Sequence, residues 1–159
     1  MHAAGIQLSP HFTLEEFERS DTATRLGIDN TVPDELVPEA ILTAEMAERI
    51  RAHLSALAGR EIPMRISSGY RCIALNRALK SSDNGDHPKM AALDFSAPAF
   101  GSPLTICKAL APAVDQLGIG QLIHEFGQWV HVSRLRPAKP INRIITLSRA
   151  GAQVGIQEV

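Results

Sequence analysis

GDHPKMAALDF, residues 85–95, carries a histidine and a carboxylate seven positions apart, His87 and Asp94, where a polar loop leads into an apolar strand. A second stretch, EFGQWVHVS at residues 125–133, adds His131. Two neutral imidazoles and one carboxylate can hold zinc and leave a fourth position open for water. Zinc in an open site polarises a carbonyl group and lowers the pKa of its water towards neutrality. The sequence therefore predicts a zinc hydrolase.

The composition is that of an ordinary globular domain. The chain has 159 residues, 45% of them apolar and 21% charged, which predicts one domain over residues 1–159. A formal net charge of −1 and scattered basic residues argue against a nucleic-acid partner. The first residues lack the pattern of a signal peptide, and no run approaches about 18 apolar residues, so we expect no membrane insertion. Cys72 and Cys107 are interpreted as reduced thiols.

The N-terminal segment, residues 1–30, is predicted to be an arm that packs against the rest of the domain. Thr13 and Glu16 form a capping-box pattern, so a short helix should begin there. Phe12 and Phe17 are expected on its inward side.

Helical periodicity predicts a long helix over residues 39–57 that stops at Gly59, and a second over residues 103–117. A shorter helix should follow Arg71. The apolar residues at helical spacing in the two longer helices are Ile41, Leu42, Met46, Ile50, Leu54, Leu57, Ile106, Leu110, Val114 and Leu117.

Short apolar runs predict the strands. Residues 64–68 and 91–97 each form one, and residues 120–126, 129–133 and 143–148 suggest an antiparallel meander. The predicted fold class is α+β, with a small antiparallel sheet that carries the metal site and helices packed on it. Residues from about 150 to 159 are interpreted as a C-terminal tail.

Glu125 is the candidate general base. If residues 126–128 are the loop of a hairpin, Glu125 lies opposite Trp129 and Ile123 opposite His131, so Glu125 and His131 share one face. A glutamate beside zinc can take a proton from water and deliver it to the leaving amine. The alternative is a solvated glutamate at a turn. Gln128, three residues before His131, can make a polar contact but no proton transfer.

Two further residues have both a functional and a structural interpretation. Arg71, after a Ser-Ser-Gly turn, is a candidate clamp for a substrate carboxylate, and the alternative is a surface ion pair. Trp129 is the only tryptophan and is expected in the core, where its ring could also wall the site.

These motifs resemble a known family, the zinc peptidases that comprise bacterial D-Ala-D-Ala carboxypeptidases and phage L-alanyl-D-glutamate endopeptidases and share a fold with the hedgehog signalling domain. SSGYR at residues 67–71, with Asn76, is similar to the family's SGYR…LN segment. HPKMAALD is similar to its H-x-x-G-x-A-x-D metal motif, and EFGQWVHVS to the hairpin that ends in its second histidine. Residues 12–30 resemble the N-terminal arm of the phage-associated branch.

The resemblance implies a hedgehog/DD-peptidase-like fold with one zinc ion and a peptidoglycan peptide as substrate. The residues that it implies are the zinc ligands His87, Asp94 and His131, the base Glu125 and the substrate-binding residue Arg71. We also predict that Ser68 and Trp129 bind the substrate. It implies a D-Ala-D-Ala carboxypeptidase or L-Ala-D-Glu endopeptidase, for example a phage or prophage lysis enzyme, and we expect a monomer. Such an enzyme is made in the cytoplasm and acts in the periplasm or cell wall after release, or is carried in a virion. The alternative is a non-catalytic, zinc-stabilised binding module or phage virion assembly module.

The sequence departs from the family pattern at three positions. Met90 stands where the metal motif has glycine, and Gly85 stands where a serine is usual. We therefore expect an altered loop before the strand that carries Asp94. Gln128 occupies the place of the base in many relatives, so Glu125 would have to serve from six residues before His131.

Overall fold

One long helix, several short helices and short strands follow one another along residues 5–159, the part of the chain that the computed structural model describes. Residues 1–4 of the predicted arm lie outside it. The elements in chain order are β1 (Gln7–Ser9), β2 (Phe12–Thr13), α1 (Leu14–Glu18), α2 (Asp21–Leu26), α3 (Val37–Ala58), β3 (Arg65–Ser68), α4 (Ile73–Ala78), β4 (Ala92–Ser96), α5 (Pro103–Leu110), α6 (Val114–Leu117), β5 (Gln121–Glu125), β6 (Trp129–Ser133), β7 (Ile144–Ser148) and β8 (Gly151–Val154). Short 3₁₀ turns lie at Asp34–Leu36, Ala111–Ala113 and Pro140–Asn142.

Strands β3 to β8 form one sheet in the spatial order β3–β4–β6–β5–β7–β8. All neighbours are antiparallel except β5 and β7, which run parallel. The α+β class is confirmed, but the predicted meander is wrong at its third strand. Residues 134–143 are too long for a tight hairpin and carry the chain past β5 to its other edge. Part of the predicted tail forms the edge strand β8.

Residues alternate between the two faces of the central strands. One face of the sheet packs against α3 and α5 in the main core. The fully buried residues on this face are Leu93, Phe95, Leu122, Val130 and Val132. The residues between them, Asp94, Ile123, Glu125 and His131, therefore lie on the opposite face. The helices thus support the sheet from behind and leave the polar face to a functional site.

Helix α3 has the predicted position and ends at Gly59, whose backbone is left-handed (φ 68°). Its inward face differs from the prediction. Met46, Ile50 and Leu54 are buried as expected, but Ile41, Leu42 and Leu57 are exposed. The small residues Ala40, Thr43, Ala44 and Ala47 take their place because they allow the helix to pack closely.

The predicted helix over residues 103–117 is interrupted. Helix α5 ends at Leu110, and a 3₁₀ turn leads to α6. Pro112 lies in that turn and lacks the N–H that a continuous helix needs. The four apolar residues predicted to share a face, Ile106, Leu110, Val114 and Leu117, are nevertheless all buried.

The N-terminal arm docks beside the turn that follows β3. The capping box at Thr13 and Glu16 is present, and Phe17 is fully buried. The backbone N–H of Tyr70 donates to the Phe17 carbonyl at 2.8 Å. A Cβ on Gly69 would lie 2.7 Å from that same oxygen, so only glycine allows this approach. The arm is therefore held against the SSGYR segment.

Both cysteines are free thiols, as expected, with Cys107 buried and Cys72 partly buried. Within residues 5–159, none of the helices combines the length and the apolar character that crossing a membrane requires.

Candidate metal centre and its clefts

His87, Asp94 and His131 converge on the polar face of the sheet. Asp94 on β4 and His131 on β6 are direct partners across an antiparallel pair, so their side chains lie side by side. His87 reaches them from the loop before β4. One ligand atom from each residue lies within 4.8 Å of the others, and all three side chains are buried. The structure thus brings together the three residues that the sequence predicts as metal ligands.

The Asp94 carboxylate lies between the two imidazole rings. Its Oδ1 atom is 2.9 Å from Nδ1 of His131 and 3.4 Å from Nε2 of His87. Nδ1 of His87 is 2.7 Å from the carbonyl oxygen of Gly69, which can only accept a hydrogen bond. The His87 proton therefore belongs on Nδ1, and its Nε2 lone pair faces the cluster, as a metal ligand requires.

This donor set fits zinc. Zinc bonds of about 2.0–2.1 Å in tetrahedral geometry place neighbouring donor atoms about 3.3–3.4 Å apart. His87 Nε2 and Asp94 Oδ1 are 3.4 Å apart, which matches this value. His131 Nδ1 lies closer to the same oxygen, at 2.9 Å, because these two atoms are within hydrogen-bond distance. Nitrogen and oxygen donors on three side chains are the ligands that an open zinc site uses.

The charges in the cluster also suit a cation. Burial lowers the pKa of His87, against the attraction of Asp94, so His87 is neutral at pH 7. Burial alone would raise the pKa of Asp94, but the neighbouring His87 and His131 outweigh it and hold that pKa well below its usual range. Burial also opposes a charge on His131, yet its hydrogen bond to Asp94 raises its pKa. Asp94 is therefore an ionised, buried carboxylate that the positive charge and hydrogen-bond donors around it stabilise.

Arg71 belongs to the centre rather than to the surface. Its Nη2 donates to Oδ2 of Asp94 at 2.8 Å, and its Nε donates to Oγ of Ser68 at 3.0 Å. Its side chain is only 14% exposed, so the alternative of a surface ion pair is wrong. Arg71 holds the oxygen of Asp94 that faces away from the histidines, and this orients the other oxygen towards them.

Glu125 lies where the hairpin register predicts. The structure pairs Glu125 with Trp129 and Ile123 with His131, and Oε1 of Glu125 is 3.8 Å from Nδ1 of His131. Burial raises the pKa of Glu125, and the negative charge of Asp94 raises it further. The alternative of a solvated glutamate is therefore wrong.

Gln128, by contrast, does not reach the metal centre. It is exposed at the end of the hairpin loop, where its backbone N–H donates to the Glu125 carbonyl. It lines a separate depression of about 810 Å³ that contains none of the three candidate ligands.

Trp129 is partly buried beside Phe126, with ring centroids 5.9 Å apart. Within residues 5–159, its indole N–H meets no partner at ordinary hydrogen-bond geometry, yet it lies close enough to Glu125 to lower the pKa of that carboxyl. Trp129 thus stands at the wall of the site rather than in the main core.

Two clefts meet at Arg71. The first, of about 690 Å³, reaches His87, Glu125 and His131 and runs outward between residues 81–89 and residues 136–138. The second, of about 450 Å³, reaches Asp94 and runs outward along residues 19–22 of the arm. Ser68 and Trp129 line this second cleft. The candidate metal centre therefore lies at the junction of the two clefts.

Met90 has a left-handed backbone (φ 56°), a conformation for which glycine is favoured. Its side chain is fully buried, and its carbonyl accepts a hydrogen bond from Oγ1 of Thr43 at 2.7 Å. The expected alteration of the loop is therefore local, because methionine adopts a glycine-like backbone and places its side chain in the core.

Two features of the clefts were not predicted. Asp86 lines the first cleft and accepts a hydrogen bond from Oγ of Ser133 at 2.6 Å. In the sequence, its place in the cleft was indicated by nothing more than its position next to His87. Arg19 and Ser20 line the second cleft, and no sequence pattern indicated that the arm reaches so close to Asp94.

A buried His–Asp–His cluster beside a carboxylate in an open cleft defines a class, the metal-dependent hydrolases. Residues 10–133, more than three-quarters of the chain, match the family model described as Peptidase M15, so the chain belongs to the Peptidase M15 family. It is accordingly a zinc metallopeptidase. Among curated proteins, none matches the chain.

Proposed function

We propose that the protein hydrolyses peptide bonds of peptidoglycan stem peptides, with one zinc ion held by His87, Asp94 and His131. The observation that carries this proposal is the convergence of the three side chains beside Glu125, at the inner end of a cleft, in a member of a peptidase family. When bound there, zinc polarises the scissile carbonyl and activates water.

Glu125 is the general base in this proposal. Its carboxylate faces the first cleft and takes a proton from the attacking water. It then delivers that proton to the nitrogen of the leaving amine, which would otherwise depart as an unstable anion. Gln128 cannot replace it, because an amide does not accept a proton at neutral pH and because Gln128 lies outside the cleft.

Arg71, Ser68 and Trp129 bind the substrate in this proposal. A guanidinium has five N–H donors. Arg71 directs one to Asp94 and one to Ser68, and its remaining donors can hold a substrate carbonyl. Ser68 keeps Arg71 in place, and the Trp129 ring offers a flat wall to the peptide.

We further propose that the enzyme acts on the cell wall as a monomer and serves as a phage or prophage lysis enzyme. The support is the resemblance of residues 12–30 to the arm of phage-associated relatives, together with the observation that this arm lines the second cleft.

The test is digestion of purified peptidoglycan by the zinc-loaded protein, followed by mass spectrometry of the released peptides. We expect new free amines or free D-Ala. Glu125→Gln should lower the rate by about 10²–10⁴-fold with zinc still bound, because it removes the base. Gln128→Ala is the matched control on the same hairpin and should retain activity. A zinc-loaded protein that releases no product would favour a non-catalytic module, and full activity in Glu125→Gln would exclude Glu125 as the base.

A further inference from the structure

We infer that the substrate chain passes through both clefts, so that the enzyme cuts inside a peptide rather than at its end, and that Arg19 of the arm binds an acidic group of the substrate. This inference rests on the proposed function and deepens it, because it selects internal cleavage and assigns a new binding residue.

The state of Arg71 argues against a closed pocket for a terminal carboxylate. A carboxypeptidase must recognise the charged end of its substrate, and a free bidentate arginine serves this purpose well. In this structure the Nη2 and Nε donors of Arg71 are already bonded to Asp94 and Ser68. Turning the guanidinium to face a second carboxylate squarely would break both of these bonds, and Asp94 would lose the donor that orients it. Arg71 is therefore suited to a neutral carbonyl within a chain.

The two clefts leave room for substrate on both sides of the scissile bond. The first cleft ends at the exposed residues Asn84, Lys89 and Arg136, so it opens to solvent. The second cleft ends at exposed Arg19 and Asp21. A peptide that enters through one cleft can leave through the other, with the bond to be cut near the junction.

Among the exposed cations that line the two clefts within residues 5–159, Arg19 is the one without an ion pair. Lys89 lies 3.7 Å from Asp86, and Arg136 lies 3.3 Å from Asp115. The Arg19 side chain is exposed and makes no hydrogen bond or ion pair within residues 5–159, although Asp21 lines the same cleft. An exposed guanidinium at the rim of a substrate cleft can hold a carboxylate through paired hydrogen bonds. The ligand class that fits is a peptide with an acidic group on this side of the cut.

Hydrolysis in this arrangement uses one water molecule. The C–N bond breaks, the hydroxyl of water joins the carbonyl carbon, and its remaining proton passes to the nitrogen. After the cut, one product lies in each cleft. A carboxypeptidase, which releases only the last residue, would leave most of one cleft unused.

The experiment uses the zinc-loaded enzyme and one synthetic stem peptide, from L-Ala-D-Glu to D-Ala-D-Ala, with either a free C-terminal carboxylate or a C-terminal amide. Products are identified by mass spectrometry. We expect internal cleavage of both forms at rates within about threefold of each other, because no contact to the terminal charge is lost. Arg19→Ala should lower kcat/KM by roughly three- to tenfold. Arg25→Ala, which removes a charge from the same arm outside both clefts, is the matched control.

A binding measurement adds a readout that does not depend on turnover. When the amidated peptide is titrated into the zinc-loaded Glu125→Gln variant, backbone amide signals of both clefts should shift, those of Ser20 and Thr22 on one side and Asn84 on the other. Arg19→Ala should reduce the shifts on the arm.

The outcomes separate the two proposals. Release of only the last residue, and only from the free acid, would overturn internal cleavage and leave the peptidase function standing. Equal kcat/KM values for Arg19→Ala and Arg25→Ala, with no shift of the arm signals, would overturn the role of Arg19. Cleavage of neither peptide by the zinc-loaded protein would overturn the proposed function together with this inference.

Discussion

Replacement of Met90 by glycine and by alanine should give an unusual order of stabilities. Met90 combines a left-handed backbone with a fully buried side chain, so two effects of opposite sign act at one position. Losing the side chain costs about 2–5 kcal/mol, as for other buried methionines that are truncated. The left-handed backbone costs a residue with a Cβ about 1–2 kcal/mol, and glycine removes this strain.

Both variants should therefore be less stable than the parent protein, but in different measure. Alanine loses the packing and keeps the strain. Glycine loses the packing and relieves the strain. Its more flexible unfolded chain, however, lowers the stability again by about 0.4–1 kcal/mol. We expect the free energy of unfolding of Met90→Gly to exceed that of Met90→Ala by up to about 1.5 kcal/mol.

The assay is urea unfolding of the metal-free protein, which excludes any contribution from zinc binding. Met46 provides the control, since it is also fully buried but lies within helix α3. There the order should be reversed, with glycine about 1 kcal/mol less stable than alanine. If glycine is the less stable replacement at both positions, the left-handed backbone at Met90 is not a source of strain and our explanation of this departure from the family motif is wrong.

Two further predictions concern charged groups. Arg71→Ala should weaken zinc binding by about 10–100-fold in a chelator competition assay, because the ligand carboxylate of Asp94 loses the donor that orients it. Arg77→Ala, which removes a surface ion pair, should leave zinc binding unchanged. Equal zinc affinities of the two variants would refute this role of Arg71. Partial burial alone would raise the pKa of Glu48, but hydrogen bonds from Ser9 and His11 outweigh it and lower that pKa. The stability that these bonds provide is therefore complete above the ordinary pKa of glutamate and is lost as the pH falls through the lowered value. The free energy of unfolding of Glu48→Gln should accordingly decline less steeply in acid than that of the parent protein. Parallel declines of the two proteins would contradict this linkage.

The sequence predicted most successfully where the deciding interaction is local. Alternation along a strand fixes which side chains share a face, so the register of a short hairpin is enough to predict that Glu125 lies beside His131. The capping box at Thr13 and the end of α3 at Gly59 are also set by a few neighbouring residues. The three candidate ligands could be named because two histidines and a carboxylate are a ligand set for zinc, and because the segments around them resemble those of a zinc peptidase family.

The features that were wrong or missed depend on contacts between distant parts of the chain. The choice of β5 as the parallel neighbour of β7 is made by packing after a long connection, which no local pattern specifies. The inward face of α3 was assigned to its largest residues, whereas close packing favours its alanines. The bond from Arg71 to Asp94 and the position of Arg19 in the second cleft likewise appear only when the sheet and the arm come together.

The zinc content of the purified protein after dialysis tests the central claim most directly. The parent protein should retain one zinc ion per chain, and His87→Ala, Asp94→Ala and His131→Ala should each lose it while the fold, followed by circular dichroism, persists. His11→Ala, which removes an exposed histidine of the arm, should retain the metal. Stoichiometric zinc in any of the three ligand variants, or none in the parent protein, would contradict the account.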